Sequence, residues 1–212
     1  MKGRSMTFSA DEIQIHLLDP NSRPLVRLFR YDGMDWDPPD VKFRKLRVDP
    51  PDGFKDQFAV LYTADTLPAV AMECRVLQVN AQDDSFKWSK DLAEQYSVVR
   101  YEFSEPALFI PIDGDNRDLL GLSWSGGKLD STYLPFQNAA LELHRRFGKI
   151  IHGLSWQSYH RHQLGRVYAI WHEHKVSIKL ERTSSRPYSK LINDPEWIDF
   201  LRKNPAIEKI DR

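Results

Sequence analysis

The sequence has little that would tie it to a membrane, to nucleic acid or to an oxidising compartment. One cysteine, Cys74, occurs in 212 residues. An internal disulfide is therefore excluded, and a reducing compartment fits. Net charge is missing as well, because thirty basic residues balance thirty acidic ones. A neutral chain lacks the electrostatic footprint with which proteins hold duplex nucleic acid, although a few arginines can still converge on an anion. No apolar run approaches the roughly 20 residues of a membrane span. The start, "MKGRSMTFSADE", carries charge with no apolar run behind it and does not read as a secretory signal. The expected location is the cytoplasm. Repeats are absent, and no G-x-G-x-x-G follows a strand, which excludes a Rossmann dinucleotide site.

What is present is a globular composition, 41% hydrophobic and 28% charged, in a length that suits one domain. Spacing and turn residues divide it into elements. "SADE" has capping-box spacing and predicts a short helix from Ser9. "RPLVRLFRY" reads as a strand. Residues 32–55, dense in Pro and Asp, read as a long irregular surface excursion of the kind that often carries function. "QFAVLYTA" is apolar on both faces, as a buried strand is. Thr66 can cap the helix that follows, with Leu67, Val70, Ala71, Cys74 and Leu77 as its buried stripe. "SVVRYEFS" and "ALFIPI" read as strands, "GLSWSGG" as a turn, and "LPFQNAALELHRRFG" as a helix closed by Gly148. "KIIHGLSWQS", "RVYAIWHEH" and "VSIKLER" read as strands. A closing helix, "DPEWIDFLRKN", has Asp194 as cap and Pro195 at its first position. Strands outnumber helices without βαβ alternation, so the expected class is α+β with mostly antiparallel pairing.

Glu73 stands out in this reading. It flanks the apolar stripe of its helix and can look into a cleft beside the core. The histidines offer a different constellation. "HRH" (160–162) and "HEH" (172–174) set pairs two residues apart on one face of a strand. Two such pairs on neighbouring strands could ligate a metal, with Glu173 joining only if the backbone bulged. No fixed-spacing metal motif supports that, and polar strand-end histidines are the favoured reading, with no metal expected.

Four stretches taken together carry a resemblance. "LFRY" (28–31), "LRVDPPDGFKDQFAVLYTADTLPAVAMEC" (46–74), "STYLPFQNAALELHRRFG" (131–148) and "IIHGLSWQSYHRHQLGRVYAIW" (150–171) follow one another in the order of the RES domain family, named for an Arg, a Glu and a Ser. The likeness runs from about Leu25 to Trp171. It sets a RES domain at 25–180, an amino-terminal extension at 1–24 and a carboxyl-terminal extension with a short helix at 181–212. This chain has "LRV" where the family has "GRF", His152 before Gly153 where Asp is common, and Trp156 in the aromatic place.

The resemblance implies an ADP-ribosyltransferase-like fold, with a twisted split β-sheet and flanking helices. It also implies chemistry on NAD, as a substrate rather than a cofactor. Family members are bacterial toxins that destroy NAD and are held in check by a helix-turn-helix antitoxin of the Xre class; self-association into a homo-oligomer is compatible with it. Glu73 would stabilise the oxocarbenium character that builds on the ribose as the nicotinamide bond breaks. Arg47 and Arg30 would take the pyrophosphate through their planar forks, with Arg27 as an alternative to Arg30. Tyr31 and Tyr62 would offer aromatic faces. Ser158 would hold a ribose hydroxyl or orient Glu73. No G-x-S-x-G elbow makes Ser158 a hydrolase nucleophile. Each residue also has an ordinary reading: a strand-end charge at Arg30, a solvated loop cluster at Arg44, Lys45 and Arg47, a core aromatic at Tyr62, a strand-end hydroxyl at Ser158. The rival functions are an ADP-ribosyltransferase acting on a macromolecule and a binding module that keeps the fold without the activity.

Overall fold

The computed structural model describes residues 10–80, 83, 85–122, 133–158 and 164–211. Its centre is a sheet of eight strands: β1 (His16–Leu18), β2 (Leu25–Phe29), β3 (Val60–Ala64), β6 (Ser97–Glu102), β7 (Ala107–Pro111), β8 (Gly153–Gln157), β9 (Arg166–Trp171) and β10 (Glu181–Arg182). They lie in the order β1-β7-β8-β9-β3-β2-β6-β10. Within this sheet only β7 and β8 run parallel; the other neighbours are antiparallel. A smaller sheet holds β4 (Leu77–Val79), β5 (Phe86–Ser89) and β11 (Glu208–Ile210). The helices are α1 (Leu67–Glu73), α2 (Lys90–Gln95), α3 (Gly114–Leu119), α4 (Leu134–Phe147) and α5 (Pro195–Lys203). The α+β expectation holds, with a mixed sheet.

Strand alternation gives the sheet two covered faces. On β9, Val167, Ala169 and Trp171 join the core under α4, while Tyr168 and Ile170 face the cluster that holds Leu25, Tyr101 and Phe109. A third cluster joins α1 to α5 through Leu67, Val70, Leu191 and Trp197. Two of these packings depend on single residues. A Cβ at Gly153 would run into the carbonyl of Ala169, so only glycine lets β8 approach β9. Thr66 Oγ1 accepts from Ala69 N–H at 3.2 Å and donates to Leu164 O at 2.6 Å, which caps α1 and ties it to the start of β9.

Several sequence expectations are corrected. The "SADE" helix is a three-residue 3-10 turn, Ala10–Glu12, and Ser9 lies outside the described residues. The α1 stripe stops at Cys74, and Leu77 opens β4 instead. "RVYAIWHEH" is a strand only to Trp171; His172–His174 form a 3-10 turn. "VSIKLER" is mostly turn. Ile178 N–H bonds back to His174 O, and Lys179 adopts φ 50°, so pairing begins only at Glu181. The excursion 32–55 is irregular as expected, yet Asp35, Val48 and Asp49 within it are buried. The "GLSWSGG" turn lies outside the described residues from position 123.

Candidate active site

A cavity of about 650 Å³ opens on the sheet where the α1 cluster meets the α4 core. That volume suits a mid-sized organic ligand. Arg30 and Tyr31 leave the end of β2 at its mouth, Arg47 enters from the excursion, Tyr62 rises from the middle of β3, and Glu73 closes α1. Residues far apart in the chain thus converge because β2 and β3 are neighbours and α1 follows β3 directly. Glu73 is half-buried, and its carboxylate makes no hydrogen bond or ion pair among the described residues.

Arg47 differs from its charged neighbours. Arg44 is used inside the excursion, donating to the carbonyls of Pro39, Lys55 and Phe58 at 2.8–3.1 Å. Lys45 is exposed. Arg47 points into the cavity, and its guanidinium lies 5.4 Å from the ring centre of Trp156, 5.8 Å from Phe136 and 5.9 Å from Tyr133. Three aromatic faces hold the cation where water cannot fully solvate it. The turn that carries it is pinned from both sides. Leu46 N–H donates to Asp49 Oδ2 at 2.7 Å, and Gln137 of α4 donates to Leu46 O at 2.9 Å.

Tyr62 belongs to the same assembly. Its hydroxyl donates to Asp49 Oδ1 at 3.2 Å and accepts from Val48 N–H at 3.2 Å. Burial, then the Asp49 charge, pushes the phenol pKa well above its ordinary value, so it stays protonated. Burial also raises the carboxyl of Asp49, against the lowering effect of the Leu46 amide and the Tyr62 hydroxyl. With both its donor and its acceptor engaged, Tyr62 offers the cavity a ring, set edge-on to Trp156 with centroids 6.3 Å apart.

The opposite wall is built on Tyr96. The Arg30 guanidinium sits 4.4 Å above its ring, and Cys74 lines the cavity beside it. Cys74 is held as a thiol, its pKa pushed up to about 11 chiefly by burial. Arg27 also lines the cavity, but its side chain donates to Met34 O at 3.0 Å and to Tyr62 O at 2.9 Å. It braces the wall, while Arg30 is the exposed arginine at the mouth.

Ser158 is not brought into this cavity. It is buried just past β8, its amide donates to Gly165 O at 3.1 Å, and its Oγ has no partner among the described residues. Of the two histidine pairs the structure describes only the second, which sits in a 3-10 turn and not on a strand. His160 and His162 lie outside the described residues. His174 Nε2 donates to Gly148 O at 2.7 Å, and Glu173 pairs with His144 at 2.5 Å. Among the described residues no group of three His, Cys, Asp or Glu is placed to hold a metal. No helix there is long and apolar enough to cross a membrane.

Sequence reasoning did not single out Arg75, Tyr96, Tyr133 or Asp49. Asp49 stood inside the quoted "LRVDPPDG", where its place in the motif was a signal without a role. Tyr133 likewise stood inside the quoted "STYLPFQ" without a role, and Tyr96 is a lone aromatic in polar surroundings that carries no signal.

The RES domain model matches residues 24–190, and the chain belongs to that family. The fold is also that of a chain in the crystal structure of the M. tuberculosis MbcT–MbcA toxin–antitoxin complex. The TM-score is 0.54 at 13% identity, over 81% of this chain and 86% of that one. No curated protein matches this sequence.

Proposed function

We propose that the chain is a RES-type toxin that cleaves the nicotinamide–ribose bond of NAD+. The observation that carries this reading is the convergence of Arg30, Tyr31, Arg47, Tyr62 and Glu73 on one cavity, with the Glu73 carboxylate committed to no partner among the described residues. When the glycosidic bond breaks, its electron pair goes to the nicotinamide nitrogen and neutralises the pyridinium. Positive charge develops on the ribose, and Glu73 is the group that offsets it. Water or phosphate then adds to the same carbon, giving ADP-ribose with release of a proton, or ADP-ribose 1″-phosphate. Arg47 and Arg30 receive the pyrophosphate, and Tyr62 and Trp156 supply flat apolar walls for a base or sugar. Ser158 does not line the cavity, and its proposed role, holding a ribose hydroxyl or orienting Glu73, is not used in this scheme.

The regulator proposed with it is an antitoxin of the Xre helix-turn-helix class. Its support is the resemblance and the fold shared with a toxin–antitoxin complex. The test is incubation of pure protein with NAD+, with and without phosphate, following nicotinamide. Consumption of NAD+ by the parent is expected. Glu73→Gln, with an unchanged Tm, should consume it about a hundredfold more slowly or less. Equal turnover by the two proteins removes Glu73 from the chemistry. Nicotinamide release that appears only on adding a macromolecular acceptor would favour ADP-ribosyl transfer instead.

A further inference from the structure

The second residue past α1 occupies a conformation that its side chain disfavours. Arg75 has φ 59°, the left-handed region. It stands at the C′ position of a Schellman closure, in which Val76 N–H bonds to Ala71 O at 2.9 Å and Arg75 N–H to Met72 O at 3.0 Å. Glycine is the usual residue there, because a Cβ in this region meets the following carbonyl. The other described non-glycine residue with positive φ, Lys179, is engaged in an ion pair with Glu105 at 2.6 Å. Arg75 is exposed, lines the cavity two residues after Glu73, and its guanidinium makes no hydrogen bond, ion pair or ring contact among the described residues.

A cation placed at the cavity wall at the expense of local backbone comfort has a use outside the fold. We infer that Arg75 is a third phosphate-binding arginine of the cavity, taking a phosphate oxyanion beside Glu73. The fork of a guanidinium fits such an oxyanion with two parallel N–H donors. The oxyanion comes either from the pyrophosphate of the dinucleotide or from free phosphate arriving as the acceptor. The substrate named here rests on the NAD reading above; the anion site itself does not.

The experiment compares the parent with Arg75→Gly and Arg75→Lys. Glycine relieves the backbone, so Arg75→Gly should melt at the parent temperature or up to about 4 °C higher. Inorganic pyrophosphate and inorganic phosphate should each raise the Tm of the parent, and much less that of Arg75→Gly. In turnover, Arg75→Gly should lose about tenfold or more in one of two quantities, with Arg75→Lys in between. A raised KM for NAD+ at fixed phosphate assigns Arg75 to the dinucleotide. A raised requirement for phosphate at saturating NAD+ assigns it to the acceptor. A folded Arg75→Gly with the same anion-induced stabilisation as the parent overturns the proposal. If the parent consumes no NAD+, the NAD reading fails, and the pyrophosphate and phosphate shifts still decide Arg75.

Discussion

Tyr62 shows how little a residue's type says about which of its atoms acts. Its phenol looks like a hydrogen-bond donor for substrate, but the proton is given to Asp49 and the lone pair to Val48. The two functions of the side chain should therefore separate on mutation. Tyr62→Phe keeps the ring and leaves one oxygen of the buried Asp49 carboxylate and the Val48 amide without their partner, which costs about 1–3 kcal/mol. Its Tm should fall while kcat stays within a few-fold of the parent, measured with saturating NAD+. A large loss of kcat with unchanged Tm would mean that the hydroxyl meets substrate. The neighbouring arginines make the same point. "FRKLR" reads as one solvated cluster, yet Arg44 braces backbone and Arg47 enters a cage of three rings.

At the scale of elements, the fold was legible where local chemistry repeats or punctuates. Thr66 and Pro68 announce α1, Asp194 and Pro195 announce α5, and Gly148 closes α4. β3 and β7 are apolar runs that burial alone explains. The small sheet was not legible. "LQV", "FKWS" and "EKI" are too short and too charged to show a period, and β11 finds β5 in parallel across more than a hundred residues of sequence. Of the candidate site, Arg30, Tyr31, Arg47, Tyr62 and Glu73 could be reached through a resemblance, whereas Tyr96, Tyr133 and Arg75 enter the cavity only through tertiary packing. The turn at 172–174 carries a pH-dependent consequence. Burial, with help from Lys175, Arg27 and Arg44, pushes the His172 pKa down to about 3, and neither ring nitrogen has a hydrogen-bond partner among the described residues. The unfolded chain binds a proton near pH 6.5 that the folded chain refuses, so stability must fall as pH drops from 6.5 towards 3. At pH 5 the loss from this one residue reaches up to about 2 kcal/mol. His172→Phe should flatten the fall of Tm between pH 7 and pH 5. An identical slope in the two proteins would place the acid sensitivity elsewhere.

For the whole molecule, a neutral chain carries a cavity ringed by arginines, and that local imbalance bears on regulation. An inhibitory partner that seats a carboxylate or its chain terminus near Arg47 and Arg30 would occupy the position proposed for the pyrophosphate. It should raise the apparent KM for NAD+ and leave kcat unchanged, as read by steady-state kinetics with rapidly exchanging partner. A lowered kcat at constant KM would put the partner elsewhere. A second long-range feature is the clasp on Asp35. Burial opposes its charge, yet hydrogen bonds from Arg182 at 2.6 Å, Tyr188 at 2.8 Å and Arg186 at 3.0 Å hold its carboxyl below the ordinary range. These partners lie 147 to 153 residues further along the chain. They anchor the turn whose Tyr31 and Met34 line the cavity. Chains are made in one direction, so on the ribosome β2 and its turn emerge long before their anchor does. A nascent or prematurely stopped chain lacking residue 182 onward has Asp35 buried without its countercharges, and its cavity wall is unbraced. The order of synthesis thus withholds the finished pocket until residues 182–188 have been made, and a cell making such a protein gains that interval before it must be restrained.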